Sequence, residues 1–336
     1  MRGKLVPYLK NYQVMKSSII HSILFITLFC FVTSNMVYLG FLGDHTRNYN
    51  KDSFIQFFSA GVYQYRVLGK WLVLGMDKIT DPTGKNIFLS IFYVNTLFLV
   101  LTGIVTVLLV NLEEVFSLTP SEKYLMMLLV PLLIDLTQYT VVAYDVSAYF
   151  FQLLITFIFL KFYETRYIFS MIAICLVLIL STLNRESSAL SVAFMVAVLI
   201  LRDGFQMRAF TSMCVFAWAF LGTYACLRLA IVNNPYNAIS LLAGYLMKYV
   251  NVLGILFWLL MGAFVYSLSN TQQNKNLVIL FHVLSLPYII TVFYSGILWE
   301  MRLYIPLFLG GLFLSRLDTS RFSIGIRYPL IGRLTR

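Results

Sequence analysis

The chain has 336 residues, of which 60% are hydrophobic and 12% charged, and its mean hydropathy is +0.82. That excludes an ordinary soluble domain, in which about 25% of residues are charged. The net charge of +11 needs no nucleic acid to explain it, because the basic segments 1–16 and 316–336 suit an anionic membrane leaflet.

Apolar runs near the roughly 20 residues that cross a hydrocarbon core recur along the chain. They fall at 19–42, 87–110, 124–142, 146–160, 167–183, 187–201, 209–232, 251–268, 277–297 and 303–315. Lipid cannot satisfy unpaired backbone groups, so the expectation is an all-α, polytopic integral membrane helical bundle of about ten transmembrane helices. A membrane barrel would instead alternate polarity in segments of about ten residues. Arg2, Lys4, Lys10 and Lys16 precede the first run, which lacks a small-residue cleavage site and reads as a retained helix. Cations of the short loops gather on the N-terminal side, which places both termini in the cytoplasm. The predicted organisation is one integral domain over 1–315, with a first outer loop at 43–86, and a basic cytoplasmic tail over 316–336.

The first outer loop begins GDHTRNYNKDSFIQFFSAGVYQYRVLGKWLVLGMDK. From Ser53 to about residue 75, Phe54, Phe57, Phe58, Val62, Tyr65, Leu68 and Leu72 recur at helical spacing, which predicts an amphipathic helix lying at the outer interface. Arg66 and Lys70, one helical turn apart, project from one side and suit a lipid phosphate or pyrophosphate. Asp44 and His45 precede this helix at the membrane boundary.

Later outer turns carry Asp145, the triplet Asn184, Arg185 and Glu186, and the pair Glu300 and Arg302. With Asp44 they sort onto one face of the predicted bundle. The two spans flanking Arg185 and Glu186 are short, so their shared turn stays at or below the outer surface. Ionised groups at depth cost about 2.5–3.5 kcal/mol each on insertion scales, and they tend to face a wet cavity or one another. Asn184 or Ser187 could cap the following helix. Asp135 and Arg228 are further intramembrane charges, placed by depth to pair with each other or with the 185–186 turn.

Cys30, Cys175, Cys214 and Cys226 lie in apolar segments without metal or redox spacing and read as small hydrophobes. His21, His45 and His282 are too scattered for a metal cluster. No phosphate-binding loop, dinucleotide fingerprint, zinc-binding helix or nucleophile elbow is present, so nucleotide-driven chemistry inside the cell is not expected.

The layout resembles the GT-C type of polytopic glycosyltransferase, which uses polyprenyl-phosphate-linked sugars at the outer membrane face. The resemblance rests on the N-in first helix, Asp44 opening the first outer loop, the helix expected behind it and the further acid Asp145. The stretch YQYRVLGKWL and the turn LNRESSAL are similar to those of bacterial membrane proteins of this type. There is no DxD in the first loop. The resemblance implies a bacterial inner-membrane enzyme transferring sugar from a polyprenyl-phosphate donor to a glycan or lipid acceptor, in cell-surface polysaccharide or glycolipid assembly. It implies Asp44 as base, with Asp52 as substitute, and Arg66, Lys70, Arg185 and Arg302 on the departing phosphate. Glu186 would orient Arg185 or meet a sugar hydroxyl, as would Asp145, with Asn184 and Glu300 completing the substrate-binding set. No cofactor is expected, metal dependence stays open, and the partners are lipid-linked sugar, acceptor and membrane lipid. Two rivals remain: an O-antigen-type polymerase, and a transporter or flippase for a lipid-linked sugar. The last expects helices broken near the midplane, with Pro131 and Pro287 as candidate sites.

Overall fold

The computed structural model describes residues 5–41, 50–59, 61–80, 87–138, 142–231, 249–295 and 300–322. Among them there is no β-strand, only an isolated bridge between Phe116 and Leu317. Helix α1 spans Leu5–Asn35 and continues as a π-helical turn over Met36–Phe41. Next come α2 (Lys51–Phe57), a 3-10 turn (Gly61–Tyr65), α3 (Val67–Thr80), α4 (Ile87–Val110), α5 (Pro120–Leu136), α6 (Asp145–Phe162) and α7 (Tyr167–Asn184). A 3-10 turn at Glu186–Ser188 leads into α8 (Ala189–Asp203) and α9 (Met207–Ala230), followed by α10 (Tyr249–Ser267), α11 (Gln272–Leu284) and α12 (Leu286–Ser295). A 3-10 turn at Met301–Leu303 opens α13 (Ile305–Ser315).

Among the described residues, each apolar run expected to be a span falls largely on helix. Among the described residues, five helices are long and apolar enough to cross a membrane, or up to six if the bent pair α11 and α12 counts as one span. That is fewer than about ten, because α5, α8 and α13 hold only 17, 15 and 11 residues. Large apolar side chains stay exposed along α1 (Leu24, Phe25, Leu28, Phe31), α7 (Ile168, Ile172, Leu176) and α9 (Trp218, Leu221). Such faces suit contact with lipid. Helix α4 is central, packing on α1, α3, α5 and α6. In lipid, helix association depends on close packing, and small residues permit it. At Gly103 of α4, an added Cβ would lie 2.9 Å from the Cys30 sulfur of α1.

Two expected helices are broken. The helix predicted over 53–75 stops at Phe57; Gly61 takes a φ of 62°, a conformation that favours glycine, and the chain restarts as α3 at Val67. Phe54, Phe58 and Tyr65 are all buried on either side of the break. The ninth run divides at Ser285 with a bend of 53°. Pro287, in the next turn, lacks an N–H for the Val283 carbonyl and disfavours a continuous helix. Pro131 causes no break: α5 runs on to Leu136.

At one end of the bundle a capping box of Thr119 and Glu122 starts α5, Arg316 pairs with Glu122 at 2.7 Å, and Asn274 donates to the Leu314 and Leu317 carbonyls at 2.9 Å. The starts of α6, α8 and α13 meet at the other end.

Candidate functional site

Asp145, the first residue of α6, is fully buried. Its Oδ1 accepts from Arg185 in the α7–α8 turn, and its Oδ2 accepts from Arg302 Nη1 at 3.1 Å. Arg302 also donates through Nε and Nη2 to Glu300 Oε2, at 3.1 and 2.9 Å. One helical turn along α6, the Tyr149 hydroxyl donates to the Arg302 carbonyl at 2.8 Å, so α6 holds both ends of that residue. A third arginine, Arg66, donates to Glu186 Oε1 at 2.9 Å, with its guanidinium 4.1 Å over the Tyr144 ring and 5.1 Å from Tyr63.

These groups surround a cavity of about 280 Å³. Arg66, Arg185, Arg302, Glu186 and Glu300 line it with Tyr63, Tyr144, Tyr224 and Tyr288, and α12 contributes Pro287, Thr291 and Val292. Three guanidinium groups balance the carboxylates of Asp145, Glu186 and Glu300. Several kcal/mol of desolvation per ion is offset only by such pairing and hydrogen bonding. Each of the three arginines already meets a carboxylate, while the Arg66 Nε is buried without an acceptor.

Two carboxylates face the cavity: Glu186 meets Arg66 through Oε1, and Glu300 meets Arg302 through Oε2. Burial would raise the Glu186 carboxyl, but the Arg66 guanidinium, Arg185 and a backbone N–H together outweigh it and hold the group at about 2. Asp145, with no exposure and both oxygens bonded, braces Arg185 and Arg302 and does not line the cavity.

Asn184 is also structural. Its Nδ2 donates to the Tyr144 carbonyl at 2.8 Å and its Oδ1 accepts from the Ser147 hydroxyl at 3.0 Å, while no side chain caps the turn or helix that follows. The cap expected from Asn184 or Ser187 is therefore absent, because Asn184 serves the start of α6 instead. Gly69 of α3 packs directly on this junction, where an added Cβ would lie 2.9 Å from Tyr144 Cβ.

The structure thus brings together Arg66, Asp145, Arg185, Glu186, Glu300 and Arg302. It does not bring Lys70 to the cavity, although Lys70 is half-buried one turn along α3, nor Asp52, which is exposed in the first turn of α2. Asp44 and His45 lie outside the described residues. Asp135 and Arg228 pair neither with each other nor with the 185–186 turn: buried Asp135 sits beside the Thr33 hydroxyl of α1, and Arg228 stacks on Tyr65 and Tyr224. The tyrosine lining was not anticipated, though Tyr63 lies three residues before Arg66 in YQYR and Tyr144 directly before Asp145 in AYDV. Among the described residues no group of three or more His, Cys, Asp or Glu could hold a metal ion. Compared with protein-family models, curated proteins and solved structures, the chain matches none.

Proposed function

We propose that this protein is a membrane glycosyltransferase of GT-C type, moving a sugar from a polyprenyl-phosphate donor to a glycan or lipid acceptor at the extracytoplasmic face of a bacterial inner membrane. The observation that carries the reading is the cavity at one end of an apolar bundle, where three arginines, two glutamates and four tyrosines converge. Tyrosine faces suit a sugar ring, carboxylate oxygens accept from its hydroxyls, and guanidinium groups favour a departing phosphate. In the reaction the acceptor oxygen attacks the anomeric carbon, the bond from that carbon to the phosphate oxygen breaks, and a carboxylate takes the hydroxyl proton. Asp44 is the proposed base. Glu186, held at about 2, is too weak a base for that step and is assigned to sugar hydroxyls.

The test is transfer of label from a radiolabelled polyprenyl-phosphate sugar into an acceptor fraction by the full-length protein in nanodiscs. Wild type should transfer; Asp44→Asn should lose transfer by more than about a hundredfold, as expected for removal of a general base. Full activity of Asp44→Asn would remove Asp44 from the mechanism. A second reading has its own observation: the bend of 53° between α11 and α12 places Pro287 and Tyr288 of a broken helix in the cavity wall. Broken helices mark substrate sites in transporters. Movement of the donor between leaflets without transfer would establish that reading instead.

A further inference from the structure

Each arginine lining the cavity already meets a carboxylate, so a cation without one is better placed to receive the anionic end of a ligand. Arg228, in the last turn of α9, fits that requirement. Its guanidinium lies 3.8 Å over the Tyr65 ring and 4.9 Å from the ring of Tyr224, which itself lines the cavity. Arg228 makes no ion pair among the described residues, and its Nε is buried without a hydrogen-bond acceptor. Position at a helix C-terminus and contact with aromatic faces are both favourable for a cation, but neither supplies an acceptor for a buried N–H.

We propose that Arg228, clamped between Tyr65 and Tyr224, is the phosphate-binding residue of this protein, receiving the phosphate of a prenyl-type lipid at the lip of the cavity. The two rings hold the guanidinium by its faces, which leaves its N–H groups to phosphate oxygens, and binding breaks no ion pair found among the described residues. Tyr65 is followed directly by Arg66, so the same short segment positions the clamp and one wall of the cavity. The lipid chain would leave along the exposed apolar face of α9, where Trp218, Leu221 and Leu229 are uncovered. The existence of the anion site stands on the geometry alone; its assignment to a lipid carrier rests on the transferase reading.

The test uses the full-length protein in phosphatidylcholine nanodiscs, with farnesyl phosphate as probe and farnesol as the uncharged control. Wild type should bind farnesyl phosphate at least about tenfold more tightly than farnesol. Arg228→Gln should bring the two ligands within about twofold of each other, and Arg228→Lys should restore part of the preference, with melting temperatures unchanged in both variants. Competition by inorganic phosphate in wild type but not in Arg228→Gln identifies the phosphate as the group recognised. Equal binding of farnesyl phosphate by wild type and Arg228→Gln overturns the proposal. So does loss of farnesyl phosphate binding when phosphatidylglycerol replaces part of the phosphatidylcholine, because the occupant is then a bulk headgroup. Sugar transfer separates the two claims. Phosphate binding through Arg228 without transfer leaves the site and removes the transferase, whereas transfer that Arg228→Gln leaves intact does the reverse.

Discussion

Arg185 and Asp145 form an ion pair whose side chains are 4% and 0% exposed, fastening the α7–α8 turn to the first residue of α6. Breaking a buried pair leaves an uncompensated charge, which costs about 3–5 kcal/mol. Arg185→Ala is therefore expected to lower thermal stability in detergent sharply. The double variant Asp145→Asn with Arg185→Gln should lose less than the two single losses added together, which a double-mutant cycle on unfolding would measure.

Gly69 should be intolerant of even a methyl group. A Cβ there would lie 2.9 Å from Tyr144 Cβ and 3.1 Å from the Ala143 carbonyl, neither of which can swing aside. Gly69→Ala is expected to cost about 1–3 kcal/mol through overpacking. Gly75→Ala is its control, since no atom lies within 4 Å of an added Cβ on the same helix. There a neutral or slightly higher melting temperature is expected, because alanine is the better helix former.

The Arg66–Glu186 pair should be insensitive to mild acid. Glu186 titrates in the folded protein at about 2, below its ordinary 4.5, so its contribution is present above the ordinary value and disappears as pH falls through about 2. The difference in melting temperature between wild type and Glu186→Gln is expected to stay constant from about pH 8 to pH 5 and to shrink only at stronger acidity. A difference that vanished between about pH 6 and pH 5 would show that Arg66 does not hold the carboxylate.

The orientation of the bundle can be read by cysteine labelling. The turns are natural probe sites, but Asn184 and Asn274 are both fully buried and would report packing rather than sidedness. Partly exposed Glu300 and exposed Gln273 lie toward opposite ends of α13. Glu300→Cys should react with an impermeant maleimide from outside the cell, and Gln273→Cys only after permeabilisation. The reverse pattern would place the cavity on the cytoplasmic side.

Much of the helical layout was legible because hydropathy marks it: the run at 87–110 coincides with α4, and that at 167–183 ends one residue before α7 does. The breaks were harder to see. Phe54, Phe58 and Tyr65 keep helical spacing across Gly61, so periodicity alone gave no reason for the chain to turn there. Proline marked both Pro131 and Pro287 as breakers, and only tertiary packing decides between them. Gathering charges at one end followed from alternating turns, whereas their pairing did not. Nothing in the spacing of residues 145, 185 and 302 says that one carboxylate bridges two arginines, nor that Arg66 would pair with Glu186 while Arg228 meets no anion among the described residues.

The bond between Asp145 and Arg302 joins positions 157 residues apart in the chain. During synthesis Asp145 and Arg185 emerge long before Arg302, so the site cannot close until the final helix has been inserted. Chain order therefore acts as a safeguard: a nascent or truncated chain holds the acid and the first arginine but lacks the second brace, and the cavity is completed only in the finished molecule.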